Sequence, residues 1–271
     1  MSAAATDTGL ERIAAAFAGV AGRAALMPYL MGGFPDVETS ARIGEAYADA
    51  GADLVELGVP FSDPLADGPV IHAAATRALR AGATLHHVLE VGARLAHRLP
   101  VVLMCYANPM LARGVERFAD ELAVRRISGL IVPDLPLEEA PSVLAACDAA
   151  GIALVPLVAP TTPDDRLAAI GARARGFLYT VSVTGTTGER SGGDSAELIA
   201  RAKASTAVPV ALGFGISTPD QAAAAAGAGA DGVIVGSRLV RAAAEAADAG
   251  DDPADAVGRA VAALAAGLAM N

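Results

Sequence analysis

Leu54-Val55-Glu56-Leu57-Gly58-Val59-Pro60-Phe61-Ser62-Asp63-Pro64-Leu65-Ala66-Asp67-Gly68-Pro69 begins as an apolar run and ends in Gly, Pro and Asp. Such a stretch is a buried strand running out into a loop. One carboxylate, Glu56, interrupts the apolar run, and two more, Asp63 and Asp67, follow in the loop. Glutamate is depleted in strands and rarely buried without a reason. A carboxyl group held in apolar surroundings has a raised pKa and can exchange protons near neutral pH.

Outward from this stretch the chain keeps a regular beat of apolar run, loop and Ala-rich helix. Strands are expected over 25–31, 52–57, 101–106, 130–132, 152–158, 177–181, 208–212 and 232–235. Helices are expected over 37–50, 69–80, 85–98, 115–126, 137–150, 164–173, 195–203, 219–228 and 253–269, with a helical pattern directly after Ser237. A further helix over 9–20, with Leu10, Ile13 and Phe17 on one face, precedes them. The strands are apolar throughout, as in a parallel sheet buried on both faces. Eight strand-helix units in about 250 residues predict an α/β fold: a (β/α)8 barrel with an extra N-terminal helix. A doubly wound open sheet is the alternative. No linker, charge block or shift in composition divides residues 1–271, so one domain is expected.

The bulk numbers exclude several roles. The net charge of −10 argues against nucleic acid or an anionic membrane as partner. No uninterrupted apolar run reaches the ~20 residues that a membrane helix needs. The start of the chain has no basic region before an apolar one, so no signal peptide is expected. The two cysteines, Cys105 and Cys147, suit a reducing, cytoplasmic compartment.

In a barrel the chemistry sits at the C-terminal ends of the strands. There the sequence places Thr184-Gly185-Thr186-Thr187-Gly188, Gly213-Phe214-Gly215-Ile216-Ser217 and Gly236-Ser237. Glycine backbone and a helix N-terminus together suit a phosphate group. The only lysine, Lys203, falls on a helix on the wrong side of the barrel for a Schiff base. The four histidines all lie between residues 72 and 97 on one helical stretch. His72 is a candidate for facing the site and His86, His87 and His97 for helix surface, so no protein metal site is expected. Carboxylate acid–base chemistry on a phosphorylated substrate remains, with Glu56 and Asp67 as candidates.

The run from Glu56 to Pro69 closely resembles the signature of the tryptophan synthase alpha chain family. Met104-Cys105-Tyr106-Ala107-Asn108-Pro109, Pro133-Asp134-Leu135-Pro136, Gly213 to Ser217 and Gly236-Ser237 resemble it too, in the family's order. The resemblance implies retro-aldol cleavage of indole-3-glycerol phosphate to indole and glyceraldehyde 3-phosphate, without a cofactor. It implies Glu56 as general acid–base and Asp67 as partner of the indole N–H. It implies Tyr29, Ile71, Met104, Ile131 and Phe214 as walls of the indole pocket, with Tyr179 beside Glu56. Thr187, Gly188, Gly215, Gly236 and Ser237 fall in the phosphate segments. A pyridoxal-phosphate-bearing beta chain is the implied partner in an α2β2 complex, with Asp63, Tyr106, Asn108, Asp134 and Pro136 in the segments facing it. Met31, where Thr is common, His72, where Gln is common, and Thr186, where an apolar residue is usual, depart from the family pattern. Two rivals stand beside this reading: a phosphosugar isomerase or epimerase on the same barrel, and a regulatory subunit with vestigial activity. The aromatic and apolar pocket residues speak against the first, and the retained Glu56 and Asp67 against the second.

Overall fold

The structure is a computed structural model that describes residues 7–20, 22–181, 193–213 and 215–269. Its strands are β1 (Ala25–Met31), β2 (Val55–Gly58), β3 (Val101–Met104), β4 (Gly129–Ile131), β5 (Ala153–Leu154), β6 (Leu157–Val158), β7 (Leu178–Val181), β8 (Val210–Gly213) and β9 (Gly232–Val235). They pair in parallel in the order β5-β4-β3-β2-β1-β9-β8-β7-β6. The two ends of that order, β5 and β6, are consecutive in the chain and separated only by Val155 and Pro156. They are halves of one strand, so the sheet closes into a barrel with eight strand positions.

The expected unbroken strand over 152–158 is therefore corrected to two short ones. Pro156 has no N–H to give to a ladder. Val155 donates its N–H to the Leu130 carbonyl on the β4 side, and the Pro156 carbonyl accepts from Tyr179 N–H on the β7 side. The strand thus passes from one neighbour to the other at the proline. Strand 52–57 is also shorter than expected and begins at Val55.

The helices are α1 (Gly9–Gly19), α2 (Val37–Asp49), α3 (Pro69–Arg80), α4 (Leu85–Leu95), α5 (Ala107–Arg113), α6 (Val115–Val124), α7 (Ala140–Ala150), α8 (Asp164–Gly171), α9 (Gly193–Ser205), α10 (Pro219–Gly227), α11 (Ser237–Ala249) and α12 (Pro253–Ala269). The short α5, after β3, was not expected from the sequence. Its seven residues carry too little periodicity to register, and Pro109 masks it.

Two apolar layers follow from strand alternation. Leu26, Leu30, Val55, Leu57, Leu103, Leu130 and Val233 point outward to the helices. Ala25, Met27, Leu54, Val102, Ile131, Ala153, Tyr179, Ala211 and Ile234 fill the barrel interior. Helix α1 closes the N-terminal mouth. Its start is fixed by a reciprocal cap between Thr8 and Glu11. Ile13 is fully buried against the interior, and the Phe17 ring lies 5.9 Å from that of Phe177. Full burial of a side chain such as Ile13 stabilises by roughly 1.5–3 kcal/mol.

Two similar turns do similar work at this end of the barrel. In Ala50-Gly51-Ala52-Asp53, Asp53 accepts from Leu26 N–H at 2.8 Å and pairs with Arg23. In Gly229-Ala230-Asp231-Gly232, Asp231 accepts from Val210 N–H at 2.8 Å and pairs with Lys203. Each aspartate anchors the start of the neighbouring strand. Lys203 is thereby engaged far from the strand C-termini. Asp53→Ala leaves the Leu26 N–H without its acceptor and should cost about 1–3 kcal/mol. Urea unfolding of the variant against the parent chain measures that loss.

Candidate active site

Glu56 sits in the middle of β2, directly opposite Tyr29 of β1. Its neighbours Val55 and Leu57 point to the helices, so alternation turns Glu56 into the barrel. It is 3% exposed. The Tyr179 hydroxyl, from β7 across the barrel, faces the carboxyl group and favours its charged form. Oε2 is buried without a hydrogen-bond partner among the described residues. Burial raises the Glu56 pKa from the ordinary 4.5 to about 8; the Tyr179 hydrogen bond opposes the shift, and the charge of Asp67 adds to it. This is a proton donor at neutral pH.

Asp67 stands in the loop between β2 and α3. The Tyr106 hydroxyl donates to its Oδ1 at 2.8 Å and accepts from the Ala66 N–H at 3.0 Å. The Phe61 ring stacks on Tyr106 at 5.3 Å and 27°. Burial pushes the Asp67 pKa up, while the Tyr106 hydrogen bond and the nearby His72 pull it down. Burial also holds the Tyr29 and Tyr179 hydroxyls well above the usual phenol range, so both stay neutral donors.

Close approach of these rings depends on glycine. A side chain at Gly58 would strike the Tyr29 hydroxyl, and one at Gly213 the Tyr179 ring. The Tyr29 hydroxyl reaches the sulfur of Met31 at 4.0 Å, so this departure from the family pattern lies beside the pocket. Of the expected pocket walls, Ile131 is fully buried in the barrel interior, and Met104 is half-buried at its upper edge. Ile71 is half-buried on α3 against the outer apolar layer.

Of the expected phosphate contacts, Gly215 has a positive φ of 80°. Gly236 forms the N-cap of α11 without any side-chain cap, and Ser237 is the exposed first residue of that helix. A side chain at Gly236 would come within 3.5 Å of Tyr29 Cβ, so this helix end adjoins the tyrosine opposite Glu56. Thr187, Gly188 and Phe214, with Thr186 and the rest of that loop, lie outside the described residues.

Asp63, Asn108, Asp134 and Pro136 are exposed on loops and on α5. Tyr106 differs from them. It is 3% exposed, and its hydroxyl engages Asp67, so it also belongs to the candidate site. Sequence reasoning missed this contact with Asp67, because Tyr106 lies between the end of β3 and the start of α5, where no periodicity marks a face. Phe61 and Tyr47 were missed as well; the Tyr47 hydroxyl donates to the Tyr29 carbonyl at 3.1 Å. His86 lies on helix surface as expected and His97 is exposed in the turn after α4, but His87 is half-buried, with Nδ1 shielded and unpaired among the described residues. A groove of about 450 Å3 lies elsewhere, between α7 and α8 outside β5 and β6.

A closed barrel that buries a protonated carboxyl group beside a second carboxylate, with a helix N-terminus at its rim, defines an acid–base enzyme of the (β/α)8 class. The comparisons narrow the class. The model of the tryptophan synthase alpha chain family matches residues 17–267. The tryptophan synthase alpha chain of Prochlorococcus marinus is 53% identical over 230 residues, covering 83% of this chain and 84% of the relative. That of Synechococcus elongatus is 51% identical over 223 residues, covering 81% of this chain and 84% of the relative. Among solved structures, the tryptophan synthase alpha subunit of Legionella pneumophila superposes with a TM-score of 0.90 at 34% identity, covering 96% of this chain and 99% of that one. A Mycobacterium tuberculosis tryptophan synthase chain gives 0.87 at 40% identity, covering 95% and 98%. The chain belongs to the tryptophan synthase alpha chain family. These comparisons give the isomerase reading no support.

The buried carboxyl predicts a pH dependence of stability. Below the ordinary glutamate value both folded and unfolded states hold the proton, and burial costs nothing in charge. As pH rises from about 4.5 to about 8 the unfolded state ionises first, so Glu56 progressively destabilises the fold. Glu56→Gln removes that term. It should match the parent near pH 4.5 and exceed it by a few kcal/mol near pH 9. Urea titrations of both proteins at the two pH values check this.

Proposed function

We propose that Glu56 and Asp67 divide the work of cleaving indole-3-glycerol phosphate, the lyase reaction of this family. Glu56 enters the cycle protonated and delivers its proton to C3 of the indole ring. The ring becomes an indolenine cation and serves as the electron sink. The side-chain hydroxyl then loses its proton to the Glu56 carboxylate. The C–C bond breaks as the carbonyl of glyceraldehyde 3-phosphate forms, and the bonding electrons return to the ring as indole. Glu56 ends with its proton restored, so no cofactor is needed for balance. Asp67 accepts the indole N–H and stabilises the cation. Tyr179 holds one oxygen of Glu56 and leaves the other for the substrate.

The observation that carries this reading is the placement of the Glu56 carboxyl, buried in the barrel, with Oε2 unpaired among the described residues, facing a tyrosine-lined interior. Tyr29, Ile71, Met104, Ile131 and Phe214 are proposed to enclose the indole. Backbone N–H groups of Gly188, Gly215, Gly236 and Ser237, beside Thr187, are proposed to hold the phosphate, with no metal. The family match through 17–267 supports treating the barrel as one domain. Membership in the family also supports a beta chain partner. The α2β2 assembly, with pyridoxal phosphate only in the partner, is proposed with it; the segments of Asp63, Tyr106, Asn108, Asp134 and Pro136 are proposed to face it. No helix of the described residues is long and apolar enough to cross a membrane. A cytoplasmic place is proposed from the biosynthetic role and the two buried free cysteines.

The test is release of indole from indole-3-glycerol phosphate by the purified chain, alone and with a beta chain. Release should be slow alone and faster in the complex. Glu56→Gln should keep its fold, read by circular dichroism, and lose nearly all turnover; retained turnover would place the acid–base elsewhere. Asp67→Asn should lose rate by at most a few kcal/mol of barrier, the scale of one electrostatic stabiliser.

A further inference from the structure

Asp67 lies on a loop whose neighbours are exposed. Leu65 is 87% exposed, and Ser62, Asp63 and Ala66 are exposed too. A carboxylate on such a loop needs an anchor if it is to stay within hydrogen-bond reach of one substrate atom. The anchor in the structure is a single side chain. The Tyr106 hydroxyl donates to Asp67 Oδ1 at 2.8 Å and accepts from the Ala66 N–H at 3.0 Å, so it grips both the carboxylate and the backbone beside it. Phe61, at the start of the same loop, stacks on the Tyr106 ring. The loop is thus held at both ends by one phenol.

Tyr106 is itself fixed from a third segment. It is the N-cap residue of α5, and it offers that helix no side-chain cap. The cap comes from the β4 loop: Asp134 Oδ1 accepts the Ala107 N–H, the first of α5, at 2.8 Å. A carboxylate at a helix N-terminus satisfies an otherwise open donor and complements the helix dipole. The path from Asp134 to Ala107, to Tyr106 and to Asp67 is continuous. It runs from an exposed loop to the candidate active site.

Resting on the lyase reading above, we propose that Tyr106 is the positioning residue of Asp67, and that Asp134 acts on Asp67 through it. Tyr106 touches no reacting atom. It sets where the Asp67 carboxylate stands and keeps one of its oxygens engaged, leaving the other for the substrate N–H. Asp134 fixes the turn that carries Tyr106. A change at the exposed β4 loop is then felt at the carboxylate without any change in the pocket walls.

The experiment is single-turnover cleavage of indole-3-glycerol phosphate by the isolated full chain, with thermal unfolding measured alongside. Tyr106→Phe keeps the ring stack and loses only the hydroxyl. It should lower the cleavage rate about ten- to a hundredfold, the scale of a misplaced group, with substrate affinity little changed. In an Asp67→Ala background the same substitution should have no further effect, because the group it positions is gone. Asp134→Ala should lower the rate in the same direction by a smaller factor and should not add to Tyr106→Phe. Equal effects of Tyr106→Phe with and without Asp67, or a loss confined to affinity, would overturn the positioning role. An isolated chain indifferent to Asp134→Ala would overturn the relay. A parent chain that releases no indole, alone or with a beta chain, would instead overturn the lyase reading and this inference with it.

Discussion

The structure turns on the cost of hiding one carboxyl group. Glu56 is held in the barrel interior, where water cannot solvate its charge, and the interior must be built around the neutral acid. Much else follows from that constraint. Tyr179 reaches across the barrel to supply a donor. Gly58 and Gly213 give up side chains so that two phenol rings can come close. Apolar residues from the other strands complete the enclosure. The result is an acid available at neutral pH, gained at the expense of fold stability. Its neighbour Asp67 is treated differently. It lies nearer solvent and within the influence of His72, with a donor to hold its charged form. Two residues of the same chemistry thus meet different surroundings: burial raises the pKa of each, and at Asp67 the Tyr106 hydrogen bond and the nearby His72 oppose it.

Much of this was legible in the sequence. A period of strand and helix repeated eight times is a strong pattern, and closure of the barrel follows from it. Glu56 stood out because a charged residue within an apolar run requires an account. The histidines and the lysine excluded rival chemistries by where they fell. The cut in the fifth strand was less visible. Pro156 signals a missing donor, but only the tertiary arrangement shows that the two halves serve different neighbours. The short α5 carries no periodicity of its own and depends on Asp134, a residue 27 positions away, for its first hydrogen bond.

Tyr106 shows how one side chain of a segment can carry a role that the family pattern did not single out. A segment can face a partner while one of its members faces inward. The resemblance assigned the segment; the structure assigned the side chain its contact with Asp67, with Asn108 exposed and Tyr106 buried. His87 carries the same lesson on a helix, where a position taken for surface is half shielded by its packing.

The break at Pro156 also divides the belt of paired strands into stretches of unequal length. On either side of it the belt is narrow, with two residue pairs joining β4 to β5 and two joining β6 to β7. Four pairs join β2 to β3, and four join β7 to β8. In the order of the sheet, β1 stands at the centre and the seam at its two ends. Two pairs also join β8 to β9, whereas every junction from β9 through β1, β2 and β3 to β4 carries at least three. Glu56 and Tyr29 stand inside that continuous run, on strands paired on both sides and away from the cut at Pro156.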